Sequence, residues 1–82
     1  MSWTCCFGTI SPGASQRWWY SFGGQDRGAQ LATGHPLNPG GTLQVNDQTK
    51  ARNSDGSITY WVTVRNIGGF TTNFNLQGGS LT

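Results

Sequence analysis

Hydrophobic and polar positions alternate most regularly between residues 57 and 66, where the chain reads SITYWVTVRN. Successive side chains of a β-strand point to opposite faces of its sheet, so this alternation predicts a half-buried strand. The inward face of this predicted strand consists of Ile58, Tyr60, Val62 and Val64. The outward face consists of Thr59, Trp61, Thr63 and Arg65.

Two further alternating segments flank this strand. The segment TLQVNDQTKAR, beginning at residue 42, places Leu43 and Val45 on one face. The segment FTTNFNLQ, over residues 70–77, places Phe70, Phe74 and Leu76 on one face. The turn signals NSDG (53–56) and Gly68-Gly69 separate the segments. Residues 42–77 are therefore predicted to form a three-stranded antiparallel meander.

The stretch QRWWYSFGG (16–24) contains three large aromatic residues in a row. With Trp18, Tyr20 and Phe22 facing the core, Trp19 faces outward together with Arg17. A register error of one residue would exchange Trp18 and Trp19. Two shorter runs, residues 3–10 and 29–33, bring the expected number of strands to five or six.

Composition supports an all-β chain. The 82 residues include thirteen Gly and ten Thr but a single Lys and no Glu, so helix-forming residues are scarce. We expect one domain, residues 1–82, folded as a small antiparallel β-sandwich or flattened barrel of five to seven strands, of immunoglobulin-like or lectin-like type. Such a short chain buries a thin core, which favours self-association. The predicted core comprises Trp18, Tyr20, Leu43, Val45, Ile58, Tyr60, Val62, Val64, Phe70, Phe74 and Leu76.

The segment DGSITYWVTVRNIGG, followed by TNFNL, resembles the closing strands of small bacterial immunoglobulin-like domains of surface and adhesion proteins. In that family a V-x-V-x-N-x-G run ends a strand at a tight turn, as it does here. The resemblance covers residues 55–76. It implies a sandwich with a role in interaction, and it carries over no catalytic residue.

Charge and hydropathy exclude several classes of partner. A net charge of +2 is too small to indicate binding to nucleic acid or to an anionic membrane. No apolar stretch approaches the roughly 20 residues of a membrane span. The N-terminus, MSWTCCFGTI, lacks the basic and apolar segments of a signal peptide. The chain is thus expected either to be cytoplasmic when made or to have been trimmed, and its location is left open.

Titratable groups are too few and too dispersed to indicate catalysis, for which such a group must face a substrate. Asp55 is expected in a turn, Asp47 at a bulge and Asp26 in a solvated loop. Three dispersed Asp could form a weak Ca²⁺ site, and His35 with both cysteines could contribute to a zinc site, but neither arrangement is favoured. We expect no enzyme activity, no cofactor and no metal.

Cys5 and Cys6 are adjacent in a predicted strand and should therefore point to opposite faces. The favoured interpretation is two reduced thiols, one of them buried as a small hydrophobic side chain. An intermolecular disulfide and a bridge between the two neighbours are the alternatives.

The outward Trp19 and Trp61 have three possible roles: packing under another part of the chain such as Trp3, contact between subunits, or contact with a ligand. Sugar rings offer flat C–H faces to an indole, and their hydroxyls seek amide and hydroxyl partners. The same rings could stack on nucleic-acid bases, but the small charge disfavours this.

These observations predict a non-catalytic, self-associating module that binds carbohydrate, with a glycan or other surface ligand as partner. The alternative is a homo-oligomeric structural or filament-forming subunit with the exposed Trp at subunit contacts. The predicted ligand-binding residues are Trp19, Trp61, Arg17, Arg65, Asn73 and Asp26.

Overall fold

The computed structural model describes residues 2–81 and consists of two three-stranded antiparallel sheets. The strands are β1 (Ser2–Ile10), β2 (Ser15–Tyr20), β3 (Gln30–Pro36), β4 (Leu43–Arg52), β5 (Ile58–Asn66) and β6 (Thr72–Ser80). One sheet has the order β1-β6-β3 and the other β2-β5-β4. The prediction of an all-β, antiparallel, sandwich-like fold is confirmed.

The core lies between the two sheets and receives side chains from all six strands. The alternation over residues 57–66 is confirmed, because β5 buries each of its predicted inward residues. The buried hydrophobic residues are Ile10, Tyr20, Ala32, Ile58, Tyr60, Val62, Val64, Phe74 and Leu76. Trp18, Leu43 and Val45 pack against this cluster and are partly buried. Ile10 and Ala32 were not predicted, because each belongs to a short, irregular segment of the sequence.

The predicted meander over residues 42–77 is wrong in its last strand. β4 and β5 form the expected hairpin, with Arg52 opposite Ile58. β6 instead pairs with β1 and β3 in the other sheet. An alternating strand buries one face whether it lies beside β5 or across the core from it, so alternation could not distinguish these two arrangements.

The crossing from β5 to β6 is organised by Asn66, whose side chain is buried. Its Nδ2 donates hydrogen bonds to the carbonyl oxygens of Ile10 and Phe70, and its Oδ1 accepts one from the Gly68 N–H. The backbone of Phe70 is thereby fixed while its ring stays 43% exposed. The prediction that Phe70 belongs to the core is therefore wrong.

Both β1 and β4 contain a β-bulge. Three steps along β1, from Cys5 to Gly8, oppose two steps along β6, and Cys6 has a φ of 64°. In β4 the register shifts between Asn46 and Thr49, and Asp47 has a φ of 58°. The expected position of Asp47 at a bulge is confirmed.

An extra residue in a strand reverses which of the following side chains point inward and which point outward. The bulge in β1 therefore allows both ends of that strand to face the core.

Two glutamine side chains connect the sheets along their lateral edges. Gln16 Nε2, on β2, donates a hydrogen bond of 2.8 Å to the carbonyl oxygen of Thr9 on β1. Gln48 Nε2, in the β4 bulge, donates one of 2.9 Å to the carbonyl oxygen of Ala32 on β3. These bonds satisfy edge-strand carbonyls that ladder pairing leaves free.

Candidate functional site: an aromatic outer face on the β2-β5-β4 sheet

Trp19 and Trp61 lie directly opposite each other on β2 and β5. Both point away from the core, since the neighbouring pair Tyr20 and Tyr60 is buried and stacked, with ring centroids 5.2 Å apart. The predicted orientation of residues 15–22 is thus confirmed. Trp19 is 59% exposed, whereas Trp61 is half-buried.

Trp61 is partly covered by Arg17. The guanidinium carbon of Arg17 lies 4.9 Å from the centroid of the Trp61 ring, a distance typical of a cation–π contact. The charged group therefore lies over the indole, and Arg17 itself remains exposed. Arg65 lies further along the same face, where it is exposed and pairs with Ser15.

The third strand of the sheet contributes short polar side chains to this face. Along β4, Thr49 pairs with Trp61, Asn46 pairs with Thr63, and Gln44 pairs with Arg65. Hydroxyl and amide groups are both donors and acceptors, so they complement the hydroxyls of a polar ligand. We call the surface formed by Arg17, Trp19, Trp61, Arg65 and these three β4 side chains the aromatic face.

Two of the six predicted ligand-binding residues are not part of the aromatic face. Asn73 lies on β6 in the other sheet, where its Oδ1 accepts a hydrogen bond from Thr9 Oγ1. Asp26 lies in the loop between β2 and β3 and forms a 2.7 Å ion pair with Lys50. The structure therefore brings together Arg17, Trp19, Trp61 and Arg65 only.

Asp26 has its charge balanced within the chain. A hydrogen bond from Lys50, together with one from the Gly28 N–H, holds the pKa of the Asp26 carboxyl below its usual value. Asp55 accepts hydrogen bonds from the Ser57 hydroxyl and N–H, which also lower its pKa and fix the β4–β5 turn. Both carboxylates thus have structural partners, as loop and turn residues commonly do.

Cys5 and Cys6 are joined by a disulfide. The expectation of two reduced thiols is therefore wrong. It assumed a regular strand, in which adjacent side chains diverge, but the positive φ of Cys6 turns its side chain toward that of Cys5. Adjacent cysteines in an edge strand were the only signal in the sequence for this feature.

The disulfide and Trp19 share two grooves. One, of about 740 Å³, opens along the β2 edge and is lined by Cys6, Gln16, Arg17, Trp18 and Trp19. The second, of about 290 Å³, is lined by Trp3, Thr4, Cys5, Cys6, Trp19, Tyr20, Ser21 and Phe22. Sequence reasoning missed Cys6 as a neighbour of Trp19, because its position depends on how β1 of the other sheet packs near the β2 edge. It missed Gln16 because strand alternation places Gln16 on the opposite face of β2 from Trp19.

The other two tryptophans face the core. Trp3 Nε1 donates a hydrogen bond of 3.2 Å to Gln30 Oε1, and the ring centroid of Trp3 lies 4.7 Å from that of Tyr20. Trp18 Nε1 donates one of 3.1 Å to Gln16 Oε1. Trp3 packs inward and therefore does not cover the ring of Trp19.

Among residues 2–81, no three His, Cys, Asp or Glu side chains come together in a metal-binding arrangement. Over the same residues there is no helix long and apolar enough to cross a membrane. Comparison of the chain with protein-family models, curated proteins and solved structures gives no match. The resemblance of residues 55–76 to bacterial immunoglobulin-like domains therefore stays a prediction.

Proposed function

We propose that this protein is a non-catalytic, lectin-like binding module and that its aromatic face binds carbohydrate. The observation that carries the proposal is the outward pair of Trp19 and Trp61 on neighbouring strands, with Trp19 59% exposed. An indole in this position loses contact with water only when something stacks on it. The C–H face of a sugar ring has the shape and polarity to do so.

The surroundings of the indoles support a polar ligand with an apolar side. Arg17 and Arg65 offer guanidinium donors, while Gln44, Asn46 and Thr49 offer donors and acceptors on the adjacent strand. This is the mixture of groups that sugar hydroxyls require. Asn46 and Thr49 already donate to Gln44 Oε1 and to the Asp47 carbonyl oxygen. A purely apolar partner would still cover the guanidinium groups of Arg17 and Arg65 without bonding to them, which is costly.

Self-association is part of the proposal, because linked copies of a weak site bind a multivalent glycan much more strongly than one copy does. It also gives the second candidate function, a homo-oligomeric structural subunit. The observation that favours this candidate is the number of large hydrophobic residues left exposed. They are Phe7, Trp19, Leu31, Leu37, Ile67, Phe70 and Leu81.

A glycan array separates the two functions. We expect discrete signals for the native chain that are lost in Trp19→Ala and reduced in Trp61→Ala, with the circular dichroism spectrum unchanged. Asn75→Ala, a change on the opposite sheet, is the matched control and should keep the signals. An array without signals, combined with a stable oligomer that buries Trp19, would favour the structural subunit instead.

A further inference from the structure

We propose that the Cys5–Cys6 disulfide is itself part of the binding surface, and that the site takes a linear, equatorially linked oligosaccharide rather than a single sugar. This inference rests on the proposed function and extends it. It assigns a contact role to two residues that the aromatic face does not include, and it names the class of glycan.

The position of the disulfide supports this role. Cys6 is exposed and lines both of the grooves that flank Trp19, and Cys5 lines one of them. The β1 bulge places the sulfur atoms there, since Cys6 adopts a φ of 64° that non-glycine residues rarely adopt. Sparsely populated backbone conformations of this kind cluster at binding sites.

The chemistry of the groove suits a sugar chain. A disulfide is apolar and polarizable, so it can pack against C–H groups as thioether sulfur does. Gln16 lies beside it and uses one amide N–H to bind Thr9, which leaves its second N–H for a ligand. Arg17 lines the same groove.

The extent of this surface determines the length of the ligand. Trp61 and Trp19 lie on neighbouring strands of one sheet, about 4.8 Å apart, whereas Cys6 lies on β1 at the edge of the other sheet, and stacked sheets are about 10 Å apart. A monosaccharide can cover one indole, whereas contact with all three residues requires several linked rings. The grooves are open to solvent along the strand edge. Equatorially linked chains are extended and present flat C–H faces on successive rings, which suits an open surface.

The first test measures whether ligand protects the disulfide of the native protein. Dithiothreitol reduces Cys5–Cys6 by transferring two electrons and two protons, which gives two thiols and the cyclic oxidised reagent. We expect cellohexaose or chitohexaose to slow this reduction roughly tenfold. At about 90% occupancy only about one tenth of the protein has an unshielded disulfide that the reagent can reach. Glucose and N-acetylglucosamine should slow it far less, and Trp19→Ala should abolish the protection.

A reduction rate that neither hexasaccharide changes would overturn the inference. If the glycan array is positive in that case, the proposed function stands and only the role of the disulfide and the glycan class are rejected. If the array is also without signal, both proposals fail. Protection by monosaccharide and hexasaccharide alike would reject an extended site.

A second test uses the variant Cys5→Ser/Cys6→Ser, with Phe7→Ala as control. Phe7 lies in the same bulge and is exposed, but it lines neither groove. We expect the double variant to lose about tenfold in affinity for hexasaccharide, as expected when a central contact is removed, and to bind monosaccharide as before. Unchanged affinity in a folded double variant would contradict the inference. If that variant does not fold, the reduction experiment decides.

Discussion

The outer faces of the two sheets differ in chemistry although both sheets have three antiparallel strands. On the β1-β6-β3 sheet the outer positions are mostly amide and hydroxyl groups. Several already have partners within the chain: Thr9 Oγ1 donates to Asn73 Oδ1, and Thr33 Oγ1 donates to the Gln77 carbonyl oxygen. On the β2-β5-β4 sheet, the aromatic face combines two indoles with two guanidinium groups.

This difference shows that the same strand topology can carry two chemically different outer surfaces. The exposed large apolar side chains of the β1-β6-β3 sheet are Phe7 and Leu31, whereas its tryptophan, Trp3, packs inward. Trp19 offers a large flat apolar area, so under the proposed function a ligand should gain most on the aromatic face. Substitutions beneath both faces, on the aromatic face and at the Asp26–Lys50 pair, which belongs to neither face, test this contrast.

The largest effect is expected from Leu76→Ala. Leu76 is fully buried between the sheets, so its truncation should lower the free energy of unfolding by about 2–5 kcal/mol. Gln77→Ala, at the next outward position, should change it by less than about 0.5 kcal/mol. Urea unfolding measures both, and equal effects would contradict the assignment of inner and outer faces.

Gly8→Ala should destabilise less, by about 1–3 kcal/mol, because the added methyl group overpacks the core. Its Cβ would lie 2.6 Å from Phe74 Cζ and 2.9 Å from Trp18 Cζ2. The control is Gly69→Ala, where a Cβ meets nothing within 4 Å. If thermal unfolding shows the two variants to be equally stable, the close packing of β1 on β2 is wrong.

Arg17→Ala should weaken saccharide binding about two- to fivefold, since a cation–π contact of this kind contributes about 0.5–1 kcal/mol to fixing Arg17 and Trp61. Arg65→Ala, on the same face but further from Trp19, should have a smaller effect. Calorimetric titration with the glycan that binds best on the array measures both. A larger loss for Arg65→Ala would place the ligand elsewhere on the sheet.

The smallest effect concerns Asp26, which belongs to neither outer face. Its folded-state pKa is lowered by Lys50 and Gly28, so its contribution to stability is present above the ordinary carboxyl value of 3.8 and is lost as the pH falls through the folded-state pKa. We expect Asp26→Asn to reduce the acid dependence of the melting temperature below that value and to leave saccharide binding at neutral pH unchanged. An altered affinity would return Asp26 to the binding site.

The sequence was sufficient to predict a strand and its buried face wherever the alternation of apolar residues was compatible with only one arrangement. The alternation over residues 57–66 identified β5. The alternation over residues 15–22 placed Trp19 on the opposite face from Trp18, Tyr20 and Phe22, and the burial of Tyr20 in the structure shows that Trp19 is the outward one. The sheet to which β6 belongs was not predictable, because Phe74 and Leu76 alternate identically in either sheet. The two bulges decide which of the residues beyond them point inward and which point outward. In the sequence only Asp47 indicated a bulge, the one in β4.

The candidate site was predictable only where its residues share a sheet. Arg17, Trp19, Trp61 and Arg65 come together through the pairing of β2 with β5. Asn73 and Asp26 were assigned by residue type alone, and each has a partner elsewhere. The Cys5–Cys6 disulfide was predicted only as an alternative to two reduced thiols, because its geometry depends on a positive φ at Cys6, which the sequence pattern does not reveal.

The four tryptophans allow the central claim to be tested in one spectrum. The indole N–H groups of Trp3 and Trp18 are bonded to glutamine side chains and face inward, whereas Trp19 and Trp61 face outward. We would titrate ¹⁵N-labelled protein with cellohexaose and chitohexaose and follow the four indole signals by NMR. We predict that the signals of Trp19 and Trp61 shift saturably and by more than those of Trp3 and Trp18, whose rings line the grooves beside Trp19 but face inward. Four unmoved signals, or shifts confined to Trp3 and Trp18, would contradict saccharide binding at the aromatic face.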